Sequence, residues 1–162
     1  MKKIFLVFVF SVFSFVVNAQ DTGFSVGSNI AIPLGDTSNS YSISFGVDLD
    51  YMFTTEEQIN YGFATGYHTF SGKTILGVKT PYRSFIPLAL AVRYDASEKV
   101  VIGADLGYGI GMRPSGNKGG FYYKPKITYD IGKNKSLNVF YSGISGDNGT
   151  FSNIGLGIMF KL

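Results

Sequence analysis

The residues of this sequence that could do chemistry are eight charged side chains. Each lies in a stretch in which polar or small residues alternate with bulky apolar ones. They are Asp48, Asp50, Arg93, Asp105, Lys124, Lys126, Asp130 and Lys161. Charges of both signs on one face can pair, and buried charges are costly unless they are paired and hydrogen-bonded. We therefore predict a structural ion-pair network, and we favour that role over a transport pathway.

Other motifs that could support catalysis or ligand binding lack the required spacing. His68 is the only histidine and the chain has no cysteine, so no transition-metal cluster is expected. SGKT at 71–74 resembles the end of a phosphate-binding loop, but Tyr67 stands where the first glycine is needed. The glycines of GYGIGMR at 107–113 lie two apart on one strand face and not in a dinucleotide-binding turn. We therefore expect no enzyme, no cofactor and no metal site.

The elements that position the charges are predicted by a period of two. In YSISFGVDLDYMF (41–53) every odd position is apolar, which is typical of a β-strand. The length of this stretch suits a tilted membrane-spanning strand better than a strand of a soluble protein. The same alternation recurs in seven further stretches, whose apolar positions begin at 24, 59, 86, 102, 121, 137 and 154.

The connections between these strands fall into two classes. Three are short and polar (TTEEQ, ASEK and GKNK), and they alternate with mostly longer ones, of which 71–83 is the longest. This arrangement is typical of outer-membrane barrels, whose periplasmic turns are short and outer loops longer. The sequence therefore predicts an all-β fold, an eight-stranded antiparallel up-and-down transmembrane β-barrel. At Pro87 and Pro125, which lie within predicted strands, we expect bulges or strand ends.

The parity of the charges indicates which face of the barrel meets lipid. All eight share a face with glycines such as Gly66 and Gly107, and none lies on the bulky apolar face. The interior of an eight-stranded barrel holds one layer of side chains, so the large apolar residues would not fit there. We predict that the charges line the lumen, and a soluble lipocalin-like carrier is the less favoured alternative. Four should lie toward the periplasmic end (Asp50, Arg93, Asp130 and Lys161), with Asp48, Asp105 and Lys126 nearer the middle.

Residues 1–19 are predicted to be a cleaved signal peptide. Two lysines precede an apolar run at 4–17, which is shorter than the roughly 18 residues of a spanning helix. Cleavage between Ala19 and Gln20 would leave one barrel domain, residues 20–162. Two of the 14 Lys and Arg residues and none of the 11 Asp and Glu residues lie in the leader, so the remaining net charge is +1. This balance gives no reason to expect a nucleic-acid partner.

Several of these segments resemble the OmpA/OmpX-type family of eight-stranded outer-membrane barrel proteins of Gram-negative bacteria. They are GSNIAIPLGD, FGVDLDYMF, IPLALAVRY, GADLGYGIG and NIGLGIMFKL, and the resemblance covers essentially all of 21–162. It implies a monomer that is exported through the periplasm into the outer membrane, with lipid and lipopolysaccharide as partners. The last segment resembles the C-terminal signal read by the barrel-assembly machinery, with Leu in place of the usual final Phe. Its residues are Ile154, Leu156, Ile158, Phe160 and Leu162.

The predicted ion-pair network favours a structural or surface-interaction role, with a closed, side-chain-filled lumen and loops facing outside. Two alternatives stay open: a narrow channel for ions or very small solutes, and a lipid-modifying outer-membrane enzyme. Such an enzyme would need His68, but Thr69 and Phe70 follow it, and no Ser stands two residues on as in the lipid A deacylase pattern. We therefore interpret His68 as a structural residue of the lumen.

Two of the predicted outer loops are basic. Lys73, Lys79 and Arg83 lie in the loop between the third and fourth predicted strands, and Arg113 and Lys118 lie near the next outer loop. Ordinary solvated charge is the favoured interpretation. Contact with lipopolysaccharide phosphates is the alternative.

Overall fold

The computed structural model describes residues 23–53, 58–147 and 149–162. The predicted signal peptide and its cleavage site at Ala19 and Gln20 lie outside these ranges. Ten strands are numbered in chain order. They are β1 (Phe24–Leu34), β2 (Tyr41–Phe53), β3 (Ile59–Gly72), β4 (Thr74–Ile75), β5 (Val78–Lys79), β6 (Arg83–Asp95), β7 (Val100–Arg113), β8 (Gly119–Gly132), β9 (Lys135–Gly146) and β10 (Gly149–Lys161).

Eight of these strands form a closed antiparallel barrel in the order β1-β2-β3-β6-β7-β8-β9-β10. Each pairs with the next along the chain, and β1 closes the barrel by pairing with β10 from Ser25–Lys161 to Leu34–Ser152. The predicted eight-stranded up-and-down barrel is confirmed. We call the end with the connections at 35–40, 73–82 and 114–118 and between β9 and β10 the long-loop end, and the opposite end the short-turn end.

Two small elements at the long-loop end were not predicted. The helix α1 (Asp36–Ser40) is fixed to the barrel through Thr37, whose hydroxyl donates to the Thr150 carbonyl (3.2 Å) and accepts from the Ser152 N–H (3.1 Å). Strands β4 and β5 form a hairpin with Leu76 and Gly77 at its turn, both at positive φ, as a tight two-residue hairpin turn requires. Among the residues that the structure describes, no helix is long and apolar enough to cross a membrane.

The two faces of the wall differ as the alternation predicts. Large apolar side chains point outward, and Ile32, Leu90 and Leu156 are 65, 62 and 61% exposed. Charged, small and aromatic residues point into the lumen, since successive side chains of a strand alternate between faces. This arrangement is the inverse of a soluble barrel, in which the bulky apolar face fills the interior.

The prolines within the wall do not produce the bulges or strand ends that we expected. Pairing of β3 with β6 keeps one register on both sides of Pro87, with Thr65 opposite Leu88 and His68 opposite Phe85. The Thr65 hydroxyl donates to the Pro87 carbonyl at 2.8 Å, which satisfies that acceptor where the ladder is interrupted. At Pro125 the ladder between β8 and β9 is likewise interrupted without a change of register. An antiparallel residue directs its N–H to one neighbouring strand only, so one missing donor need not shift the other ladder.

A bulge does change the face of one aromatic residue. The register of β2 against β3 shifts between Tyr41 and Ile43. We predicted that Tyr41 shares the outward apolar face, but it points inward and is buried. The extra residue of a bulge changes the alternation, so the parity of the strand does not extend through it.

Close contact between strands makes Gly107 of β7 sensitive to substitution. A Cβ atom there would overlap the Leu88 carbonyl oxygen and lie 2.5 Å from the Ala89 Cα. We expect Gly107→Ala to lower the free energy of unfolding by about 1–3 kcal/mol, as overpacking typically does. Gly132→Ala is the matched control, since a Cβ there would have no neighbour within 4 Å. Urea unfolding in lipid vesicles, followed by circular dichroism, measures both, and equal losses would contradict the prediction.

Candidate functional site in the lumen

Six of the eight charges predicted to form a network point into the lumen, and each is at most 8% exposed. They are Asp48, Asp50, Arg93, Asp105, Lys124 and Lys126. Four of them come in pairs two residues apart on β2 and β8, so the period of the strand directs both members of a pair to the same face. The lumen charges form two clusters.

Asp48 is the centre of the first cluster. The Lys124 Nζ lies 2.8 Å from both carboxylate oxygens, and the Asn29 Nδ2 donates to Oδ2 at 2.7 Å. The His68 Nε2 lies 2.9 Å from Oδ1. The same lysine nitrogen lies 4.4 Å from the centre of the Phe140 ring, a cation–π contact. Every oxygen of the Asp48 carboxylate is therefore engaged by more than one donor group.

The second cluster is a closed ring of two carboxylates and two cations. The Arg93 Nη2 lies 2.9 Å from Asp50 Oδ2 and 2.6 Å from Asp105 Oδ1. The Lys126 Nζ lies 2.9 Å from Asp50 Oδ2 and 3.3 Å from Asp105 Oδ2. Each cation bridges both carboxylates, and the Arg93 Nη1 also donates to two main-chain carbonyls. The signs alternate around the ring, so each charge lies between two charges of the opposite sign.

The ion pairs span the lumen from wall to wall. Strands β2 and β8 lie on opposite sides of the barrel, four places apart in its eight-strand order. The Lys124–Asp48 and Lys126–Asp50 pairs therefore cross the lumen. Among the described buried ion pairs, three carboxylates face three lysine or arginine cations. Removing one member would leave an uncompensated buried charge, which is strongly destabilising.

Asp130 and Lys161 do not join these clusters, contrary to the prediction of one network of eight. Their nearest charged atoms are 3.8 Å apart, and the two side chains are 24% and 57% exposed. Both residues lie near strand ends at the short-turn end, where their side chains are more exposed than those of the two clusters. They form a separate pair at the short-turn end of the barrel.

Above the charges, four aromatic side chains fill the lumen at the long-loop end. We call Tyr41, Phe70, Phe85 and Phe151 the aromatic plug. Their ring centroids lie 5.7–6.2 Å apart in mostly edge-to-face contacts. This cluster was not predicted from the sequence, although Phe70, Phe85 and Phe151 have the parity of the lumen face. The parity of these three residues indicated that they point into the lumen. The inward direction of Tyr41 could not be predicted, because it depends on the bulge.

Below the charges, a cavity of about 410 Å³ enters the lumen from the short-turn end. Asp50, Arg93 and Lys126 lie at its inner boundary, and Asp130 and Lys161 line its mouth. The second charged cluster separates this cavity from the first cluster and the aromatic plug. The lumen is therefore accessible from one end and occupied by side chains toward the other.

The environment of His68 does not resemble a hydrolytic site. Its ring is 3% exposed, bonds to Asp48 and lies with its centroid 6.1 Å from that of Tyr122. In the described part of the chain no serine hydroxyl is hydrogen-bonded to it. Nor do three or more His, Asp or Glu side chains there lie close enough together to hold a metal ion.

The residues of the predicted C-terminal assembly signal lie on or just beyond β10. Ile154, Leu156 and Phe160 are exposed on the outer face, and Ile158 is partly buried there. The Leu162 N–H donates to the Phe24 carbonyl at 3.0 Å. Recognition of these residues by the assembly machinery stays a prediction.

Comparison with known proteins identifies the fold alone. No protein-family model matches the chain, and no curated protein sequence matches it. Ail of Yersinia pestis in a phospholipid bilayer nanodisc is 12% identical, with a TM-score of 0.59, over 85% of this chain and 99% of that one. Neisserial surface protein A is 15% identical, with a TM-score of 0.58, over 86% and 97%. A de novo designed transmembrane β-barrel is 12% identical, with a TM-score of 0.54, over 88% and 98%.

The buried position of Lys124 leads to a prediction about stability. Lys124→Met leaves Asp48 without its closest cation, so we expect the free energy of unfolding to fall by about 3–5 kcal/mol. Lys118→Met is the control, because the Lys118–Asp147 pair is exposed and its charged atoms are 4.0 Å apart. The control should stay within about 0.5 kcal/mol of the wild type. Urea unfolding in lipid vesicles measures both variants.

A double variant separates the lost pair from a simple loss of volume. Asp48→Asn combined with Lys124→Met removes both charges, so its loss of stability should be smaller than the sum of the two single losses. Strict additivity would mean that the two residues do not interact.

Proposed function

We propose that this protein is an integral outer-membrane β-barrel of the OmpA/OmpX type with a structural or surface-interaction role. Its lumen is closed, and its long-loop end faces the outside of the cell. Export passes through the periplasm, where the barrel-assembly machinery receives the chain. The protein is a monomer in contact with membrane lipid and lipopolysaccharide.

One observation carries the proposal: the wall is apolar outside and charged inside. A contiguous belt of exposed Ile, Leu, Val, Phe and Tyr side chains surrounds the barrel, and soluble monomers rarely expose an apolar patch of this extent. A bilayer requires a wall with this outer face and with every backbone group paired, which a closed barrel provides. A lipocalin-like carrier would have its apolar side chains inside.

The orientation is supported by the two ends of the barrel. Short turns face the periplasm and longer loops face outward in outer-membrane barrels. The long-loop end carries ordered elements such as α1 and the β4–β5 hairpin, where Leu76 is fully exposed at the tip. Loops held by a rigid wall are suited to contacts with other molecules.

The contents of the lumen favour a scaffold over a channel. The Lys124–Asp48 and Lys126–Asp50 pairs cross it, and the aromatic plug lies between them and the long-loop end. Small barrels of eight strands have interiors that side chains can fill.

In planar bilayers we therefore expect no discrete conductance steps from the folded protein, and reproducible steps would favour the channel alternative.

A non-enzymatic role is supported by the position of His68. It is enclosed in the lumen beside Asp48, whereas lipid substrates lie against the outer wall. Chemistry on a lipid would need reactive side chains within reach of that wall. A lipid A modification that is abolished by substituting His68 would contradict this part of the proposal.

Location and orientation can be tested together in cells. An epitope tag is inserted at Gly77, in the turn of the β4–β5 hairpin, and a matched tag at Ser97, in a short turn. Both proteins should fractionate with the outer membrane and migrate differently on gels before and after heating. External protease should remove the tag at 77 and spare the tag at 97. The opposite pattern would reverse the orientation, and a water-soluble mature protein would overturn the whole proposal.

A further inference from the structure

Arg83, the first residue of β6, points into the mouth of the barrel at the long-loop end. It pairs in register with Phe70, a member of the aromatic plug. Its guanidinium carbon lies 4.5 Å from the centre of the Phe151 ring, within the range of a cation–π contact. One ring of the aromatic plug therefore contacts this cation, which is half-buried at the entrance of the lumen.

Arg83 differs from the other cations that point inward. Arg93, Lys124 and Lys126 each lie within 3.3 Å of a carboxylate, and Lys161 lies 3.8 Å from Asp130. In the described ranges of the chain, no carboxylate lies within 4.0 Å of Arg83, and its buried Nε has no hydrogen-bond partner. A buried donor without a partner is costly, so an orphaned guanidinium N–H is a position that an acceptor, from water or from a ligand, would satisfy.

A cavity of about 110 Å³ lies beside this arginine. Arg83, Asn117 and Lys118 line one part of it, and three glycines and three apolar side chains (Phe85, Ile144 and Phe151) line most of the rest. Among the described residues that line the cavity, two are cations and one is an acid, Asp147, whose exposed carboxylate lies 4.0 Å from the Lys118 Nζ. Its local charge is therefore positive, and its size suits a single sulfate, phosphate or carboxylate group.

We propose that this cavity is a binding site for an oxyanion, a sulfate or phosphate group carried by a soluble ligand that enters the mouth from the long-loop end. Arg83 would donate its Nε–H and an Nη–H to two oxygens of the group, a fork geometry that suits oxyanions. Lys118 would supply a second, mobile charge from the rim. The site lies inside the ring of strands, which favours a ligand arriving through the mouth over the head group of a lipid outside the wall.

This inference rests on the proposed function only for the side from which the ligand arrives. Binding itself is measured on the folded protein in dodecyl maltoside, which carries no charge. If the localisation experiment fails and anions still bind, only the proposed function is lost. If localisation succeeds and anions do not bind, only this inference is lost.

The test is a titration of isotope-labelled protein with sodium sulfate at constant ionic strength, followed by NMR. The Arg83 Nε–Hε signal and the Gly119 amide should shift and saturate, while the Arg93 Nε–Hε signal serves as an internal control. In Arg83→Gln the Gly119 shift should report affinity weaker by about tenfold or more, since a charge-assisted pair is lost. Lys79→Gln removes the same charge from the same end without touching the cavity, so its affinity should stay unchanged.

Two further variants keep the test decisive. Asp147→Asn removes the one acid among the described lining residues and should tighten sulfate binding. Arg83→Lys keeps the positive charge but loses the forked pair of guanidinium donors, so its affinity for sulfate should be intermediate. If Arg83→Gln lacks heat-modifiable gel migration, and so does not fold, Arg83→Lys takes its place in the test. Equal weakening by Arg83→Gln and Lys79→Gln would overturn the proposal, because it would mean attraction to the overall charge.

A final comparison identifies the source of the anion. Glucose 6-phosphate and glucose 6-sulfate should produce the same saturable shifts as the inorganic ions in protein held in uncharged phosphatidylcholine nanodiscs. Shifts of Arg83 that occur only when the nanodiscs contain phosphatidylglycerol would overturn entry through the mouth. No saturable shift with any of these probes would remove the site altogether.

Discussion

Two lysines of β8 reach across the lumen to two aspartates of β2 on the opposite wall, and the rest of the interior is arranged around these contacts. Lys124 and Lys126 lie two residues apart, as do Asp48 and Asp50, so the pairs form two successive layers. Buried charges persist only where each has a partner and further hydrogen bonds. Asn29 and His68 complete the first layer, whereas Arg93 and Asp105 complete the second. The barrel is thereby braced across its diameter.

This bracing also explains why the interior and the exterior of the wall have opposite compositions. A narrow barrel that encloses ion pairs has room for few other side chains, so glycines stand beside the larger ones. Gly46, for example, lies against Asn29 and His68, and Gly157 lies against Asn138. The large apolar residues are then confined to the outer face, which the proposed membrane location would cover with lipid. The same constraint therefore supports both a closed lumen and a membrane environment.

The long-loop end is organised by different forces. Aromatic contacts replace ion pairs there, and the hydroxyl of Thr37 and the amide of Asn117 fix the connecting segments to strand ends. At this end the Arg83 guanidinium lies against the Phe151 ring, in place of the balanced charges of the two clusters. These features support the proposed surface-interaction role over the channel alternative.

Alternation along the sequence was sufficient to predict the eight strands, their short and long connections, and the inward direction of residues such as Asp105 and Lys126. These features depend on a period of two, which each strand carries within itself. The partners could not be predicted, because which residues meet across a lumen depends on the tilt and stagger of the closed sheet. Tertiary structure alone decided that Lys124 meets Asp48, that Asp130 and Lys161 stay at the short-turn end, and that a bulge turns Tyr41 inward. Local pattern sets the face of a residue, whereas closure of the barrel sets its neighbours.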